Sequence, residues 1–207
     1  MIIAVDGPAA SGKGTIAKAL ARHYGLPHMD TGLLYRAAAL NLLRLGLDPE
    51  SDFHAARACD VSQIDFDDPE LRSEGVGGVA SRISAYPLVR QALLERQRHF
   101  AAQPGGAVLD GRDIGTVIAP DADAKLFVTA SAEVRARRRW EELKRNGLNG
   151  GLEDVLADIR ARDARDSGRA AAPLLRADDA VLVDTSAMDI AAAIEAARAA
   201  VERRRAR

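Results

Sequence analysis

Four short stretches of the chain are apolar at every position: residues 2–5, 107–109, 126–128 and 181–183. Each is followed by glycine or polar residues. Brief unbroken apolar runs are the pattern of strands covered on both faces. Residues 27–29, ahead of Asp30, make a fifth candidate. Between the runs the apolar positions recur at helical spacing. A first helix is predicted to start within 12–15, with Ile16, Ala17, Leu20, Ala21 and Tyr24 on one face and Gly25 ending it. Further helices are predicted over 33–45, after Pro87, over 131–145 and 152–166, and through the alanine-rich tail 190–207. Alternating strands and helices imply a parallel, doubly wound α/β sheet with right-handed crossovers.

Two stretches stand outside that alternation. Residues 47–78 are polar and broken by Pro49, Pro69 and the run Gly75-Val76-Gly77-Gly78, and they read as an insertion or small lobe. Residues 132–170 form a basic helical hairpin interrupted at Asn146-Gly147 and Asn149-Gly150-Gly151, the pattern of a movable lid. The core is therefore expected in 1–46, 79–131 and 171–207.

Composition narrows the field. In 207 residues, 29 basic side chains face 30 acidic ones, and 47% of positions are apolar. That is enough to bury a real core and is unlike a disordered chain. Balanced charge and only 4% aromatic residues argue against a nucleic-acid platform. A lone cysteine, Cys59, excludes an intrachain disulfide. The four histidines have no ligand spacing and read as ordinary side chains. No run approaches the roughly 18–20 apolar residues of a membrane span, and the opening residues lack the basic leader of a signal peptide. The expectation is a cytoplasmic protein, with nothing that demands more than a monomer.

The strongest local signal is Gly7-Pro8-Ala9-Ala10-Ser11-Gly12-Lys13-Gly14-Thr15. It has the frame of a P-loop, placed after a strand and before a helix. Glycines let backbone amides turn in around a phosphate, the helix adds its N-terminal amides, and Lys13 adds a charge that can follow a transferred phosphoryl group. A nucleoside triphosphate is the implied ligand. Gly14 stands where the magnesium-binding hydroxyl usually follows the lysine, so the hydroxyl is that of Thr15. Asp110 is the acid placed to assist in holding Mg²⁺.

Three clusters sit at predicted strand ends or helix starts, where an open α/β sheet binds ligands. In Asp30-Thr31-Gly32-Leu33-Leu34-Tyr35-Arg36, Asp30 or Thr31 can cap a helix, and Arg36 lies one turn in, within reach of a substrate phosphate. Asp110-Gly111-Arg112-Asp113 follows a strand. Arg162-Asp163-Ala164-Arg165-Asp166-Ser167-Gly168-Arg169 alternates charge along a helix, which alone reads equally well as a solvated face.

Taken together, these motifs resemble the cytidylate kinase family of nucleoside monophosphate kinases. The resemblance also draws on Ser81, on Tyr86-Pro87-Leu88-Val89-Arg90, on Ile114-Gly115-Thr116-Val117 and on Ala172-Pro173-Leu174, all in the family's order. It implies that Arg36, Arg112 and Arg169 hold the acceptor phosphate, that Thr31, Arg90 and Asp113 read cytosine, and that Ser81, Arg162 and Asp166 contact the ribose. Thr31 stands where many relatives have serine, and the chain between Ile64 and Arg72 is shorter than the family's usual insert. The implied reaction is γ-phosphoryl transfer from ATP to CMP or dCMP, with Mg²⁺. A carboxylate such as Asp113 accepting from the exocyclic amine, and an arginine such as Arg90 donating to N3 or O2, would sort cytosine from uracil. The acceptor oxygen is already anionic, so alignment and charge neutralisation suffice. Arg135, Arg137, Arg138 and Arg139 are the lid candidates, with Arg138 expected to join Lys13 and Arg112 at the transferring group.

Overall fold

A computed structural model describes residues 1–145, 147, 150–205. Asn146 and Asn149 of the expected hinge, with Leu148, Ala206 and Arg207, lie outside the described residues. Five parallel strands form the sheet: β1 (Ile2–Asp6), β2 (His28–Asp30), β3 (Ala107–Gly111), β4 (Ala124–Thr129) and β5 (Val181–Asp184). Their spatial order is β2-β3-β1-β4-β5. The five predicted strands are all present, each shifted or lengthened by one to three residues.

Eight helices accompany them among the described residues: α1 (Lys13–Tyr24), α2 (Thr31–Arg44), α3 (Asp52–Arg57), α4 (Glu74–Ile83), α5 (Pro87–Ala101), α6 (Ala132–Arg145), α7 (Leu152–Gly168) and α8 (Ile190–Arg205). The side chains of β1 alternate, and both faces are covered. Ile3 and Val5 pack with Ile16 and Leu20 of α1 and Val201 of α8, while Ala4 packs with Leu109 and Ile114 on the other side. This two-sided burial is why the strands read as unbroken apolar runs. α2 starts two residues earlier than its periodicity suggested, because Asp30 caps it by accepting from the Leu33 amide at 3.3 Å.

The stretch 47–78 differs from its reading as a polar lobe. Ala55, Ala58, Val61, Leu71 and Val76 are buried in one cluster with α2 and the start of α5. The glycine run is not a break. Gly75, Gly77 and Gly78 lie inside α4, which the Ser73 hydroxyl caps. Glycine weakens a helix interior by about 1 kcal/mol per residue, so tertiary contact must hold this one. The reason for glycine is visible at Gly77, where a Cβ would come within 2.7 Å of the Arg36 guanidinium. No strand occurs among the described residues of 47–78.

Candidate active site

The carboxyl ends of all five strands open on one side, and a cleft of about 490 Å³ lies there. One wall is the loop after β1. At Gly7 (φ 156°) a Cβ would collide with the Val128 carbonyl of β4, so only glycine lets the chain turn there. Ser11 is fully buried, and its carbonyl accepts from the Thr185 hydroxyl at 3.1 Å. The loop feeds α1 directly, and Ala9, Ala10 and Lys13 line the cleft. Burial, with Arg112 nearby, depresses the Lys13 ammonium to about 8. Pro8 is buried and Gly12 exposed, and Gly14 is half-buried. Thr15 is exposed and is not among the cleft-lining residues.

The opposite wall carries Thr31, Arg36, Ser81, Arg90, Arg112, Asp113, Arg162, Asp166 and Arg169, all of which line the cleft. These residues come from five separate segments of sequence. Arg112 donates through Nε to Asp166 at 2.7 Å, which joins the turn after β3 to α7. Arg90 pairs with Asp113, and Arg169 stands 3.8 Å from the same carboxylate. Arg36 donates to the carbonyls of Leu71 (2.8 Å) and Ser73 (3.2 Å). The Thr31 hydroxyl donates to the Asp110 carbonyl at 2.8 Å, so its oxygen is left as an acceptor toward the cleft.

Among the described residues, eight basic side chains and six acidic ones line this space. The excess is unsatisfied. Arg162 Nε and Arg169 Nη2 are buried with no hydrogen-bond partner. Burial and the neighbouring Arg112 push the Arg162 guanidinium down to about 10, and burial with Arg90 lowers Arg169. Desolvated cationic donors without partners are destabilising, and an anionic ligand in the cleft would relieve them.

Hard oxygen donors lie beside the loop. Asp110 is 2% exposed, and one of its oxygens would be 3.6 Å from a Cβ placed on Gly14. Its other oxygen is paired with His28 Nε2 at 2.8 Å. Burial, then repulsion from Asp110, raises the Asp30 carboxyl. The residues therefore fit a divalent cation that keeps several phosphate and water ligands, although no cluster of three or more protein ligands occurs among the described residues.

The basic helix α6 distributes its arginines differently from expectation. Arg138 does not line the cleft: it donates to the Thr185 hydroxyl (3.0 Å) and carbonyl (2.7 Å), bracing the loop from outside. Arg137 is exposed. Arg135 is 5% exposed, makes a bidentate pair with Asp163 of α7 and donates to the Ala9 carbonyl at 3.3 Å. Arg139 is the α6 arginine that lines the cleft, where it pairs with Glu74 and Glu142. Glu74, Gly77, Gly78, Glu142 and Asp158 line the cleft without having been singled out in the sequence, and of the four lid candidates it is Arg139 that lines it. His28, read as ordinary, is the partner of Asp110.

The family model described as cytidylate kinase matches residues 3–203. A protein named cytidylate kinase from Xanthobacter autotrophicus is 62% identical over 100% of this chain and 99% of its own length. One of the same name from Methylocella silvestris is 58% identical over 98% of this chain and 94% of its own length. The crystal structure of an uncharacterized protein from Eubacterium ventriosum superposes with a TM-score of 0.55 at 16% identity, covering 98% of each chain, a likeness of fold.

Proposed function

The chain belongs to the cytidylate kinase family, and on that premise we propose how its cleft divides the labour of the family's reaction. The reaction is transfer of the γ-phosphoryl group of ATP to CMP or dCMP, giving CDP or dCDP. The enzyme is a nucleoside monophosphate kinase.

ATP lies with its phosphates on residues 7–15, where the loop amides and Lys13 take the charge. The acceptor occupies the far wall. Arg36, Arg112 and Arg169 hold its phosphate, Ser81, Arg162 and Asp166 its ribose, and Thr31, Arg90 and Asp113 its base. The observation that carries this placement is the pair of buried guanidinium nitrogens without a hydrogen bond, Arg162 Nε and Arg169 Nη2, on two residues that line the cleft together with the loop. An anionic nucleotide would satisfy them, since the Asp113 carboxylate stands 3.8 Å from Arg169 Nη2, beyond hydrogen-bond reach.

The chemistry needs alignment more than proton transfer. A CMP phosphate oxygen attacks in line, and Lys13, Arg112 and the loop amides absorb charge on the transferring group. Arg139 takes the part first expected of Arg138, since it already lines the cleft. Mg²⁺ would be held by Asp110, with Asp30 beside it, together with phosphate oxygens and water, and would neutralise charge on the ATP phosphates. Thr15, exposed and like Asp110 outside the cleft lining, is the second candidate for that ion.

Cytosine is chosen by like-against-unlike pairing. The Asp113 carboxylate and the Thr31 oxygen can only accept, which suits the exocyclic amine. Arg90 can only donate, which suits N3 or O2. Uracil presents a carbonyl to the acceptors and an N–H to the donor. The hairpin α6–α7 (132–170) acts as a lid that excludes water when both nucleotides are bound. A coupled ADP-release assay over CMP, dCMP, UMP and AMP tests the assignment: turnover is expected on the two cytidylates. Equal turnover on UMP would overturn the base assignment, and hydrolysis of ATP indifferent to CMP would overturn the acceptor site.

A further inference from the structure

Asp6 takes no part in the chemistry above, yet it is 5% exposed and ends the strand that feeds the donor loop. One carboxylate oxygen accepts from the Ile114 amide at 2.8 Å, the other from the Gly115 amide at 2.8 Å. Those two amides begin immediately after Asp113. They open a wide turn (Ile114–Ile118) closed by hydrogen bonds from Ile118 to the Asp113 carbonyl and from Ala119 to the Ile114 carbonyl. One side chain therefore fastens the base-reading turn to the residue before Gly7.

The arrangement is specific. Among the described residues Asp6 forms no ion pair. The stem of Lys125 lies against Gly115, but its ammonium is spent on Asp179 at 3.0 Å. A Cβ on Gly115 would sit 3.2 Å from Lys125 Cδ and 3.4 Å from the second Asp6 oxygen, so a side chain there would crowd the lysine stem packed beside the turn. A buried carboxylate held by two backbone donors alone fixes the position of those donors closely.

We propose that Asp6 is a positioning residue that sets Asp113, and with it cytosine recognition, in register with the donor loop. The proposal deepens the reading of the cleft given above and rests on it. The route is short: Asp6 holds the amides of Ile114 and Gly115, these hold the peptide of Asp113, and that peptide aims the carboxylate at the base. The Asp6 side chain spends both oxygens on the turn, so its substitution acts first on the turn and only through its own backbone on the loop.

The test is Asp6→Asn. A carboxamide has one acceptor oxygen, so one of the two amides must face an N–H and move away. KM for CMP is expected to rise about tenfold and the CMP-over-UMP ratio of kcat/KM to fall about fivefold or more, with KM for ATP changed less than about twofold. Gly115→Ala, which crowds the Lys125 stem against the same turn, is expected to shift that turn and give the same signature in weaker form, and it decides the matter if Asp6→Asn does not fold. Equal loss on CMP and UMP with unchanged KM values, or wild-type kinetics in both variants, would overturn the proposal. Asp113→Asn, measured alongside, separates the two levels. A changed base ratio in Asp113→Asn with none in the Asp6 and Gly115 variants sinks the positioning role alone, whereas no change in Asp113→Asn takes down the cleft reading and this proposal with it.

Discussion

Replacing Asp113 by asparagine changes the charge of one buried group and almost nothing of its shape. The carboxylate is 7% exposed, in contact with Arg90 and 3.8 Å from Arg169. Burial raises its pKa, and Arg90 and Arg169 oppose the rise. In the native cleft it can only accept. The carboxamide keeps one acceptor oxygen for the cytosine amine but gains an NH₂ that can turn toward uracil O4. The loss for CMP is that of a charge-assisted hydrogen bond, about 1.5–3 kcal/mol, or roughly 10- to 150-fold in kcat/KM. UMP loses nothing comparable and is expected to hold level or improve a few-fold. The selectivity ratio should therefore contract by about two orders of magnitude. Steady-state kinetics with both acceptors at saturating ATP measure it, and thermal melting checks that the variant is folded. A fall of equal size on CMP and UMP, leaving the ratio intact, would refute the idea that this carboxylate reads the base.

Other outcomes follow from the same geometry. Burial holds the Lys13 ammonium down at about 8, and bound phosphates would raise it again. ATP binding at pH 9 is thus expected to take up nearly one proton, read as a dependence of calorimetric enthalpy on the buffer's ionisation heat, and no dependence would refute it. For stability the sign is opposite to that of a salt-bridged lysine. The folded value lies below the ordinary 10.5, so between pH 8 and 10.5 the unfolded chain holds the extra proton and stability rises with pH. Arg139→Gln should lower kcat by about 10²-fold, as loss of a transition-state donor does, whereas Arg138→Gln should change it by less than roughly threefold; the reverse order would restore Arg138 to the transferring group. Arg135→Ala removes the bidentate pair with Asp163 and the contact with the Ala9 carbonyl. Discounting for the 29% exposure of the acid, it should cost about 2–3 kcal/mol and roughly 5–10 °C in Tm. Backbone amides of 132–170 should exchange more slowly with both nucleotides bound, and identical exchange would refute lid closure.

Much of this was legible along the chain, and the failures have physical causes. The strands could be read because both faces of the sheet are covered, which leaves no polar position to interrupt them. The loop could be read because its glycines and lysine stand at fixed spacing between a strand and a helix, even though the Val128 carbonyl that Gly7 must clear lies on another strand. α4 offers no such frame: Gly77 is demanded by Arg36 of another helix, and a requirement set by a distant side chain looks locally like a helix break. Arg138 and Arg139 are neighbours of one residue type, and only the rotation of α6 on the core decides which faces the cleft. His28 gave no signal because its partner, Asp110, lies on an adjacent strand and 82 residues away.

The unpaired nitrogens of Arg162 and Arg169 bear on the life of the molecule as well as its chemistry. A chain that keeps positive groups dry and waiting is sturdiest when its substrates are plentiful. By mass action, scarce nucleotides would leave the enzyme less stable and more open to proteases. Its abundance would then follow the supply of the compounds it converts, without any dedicated regulator.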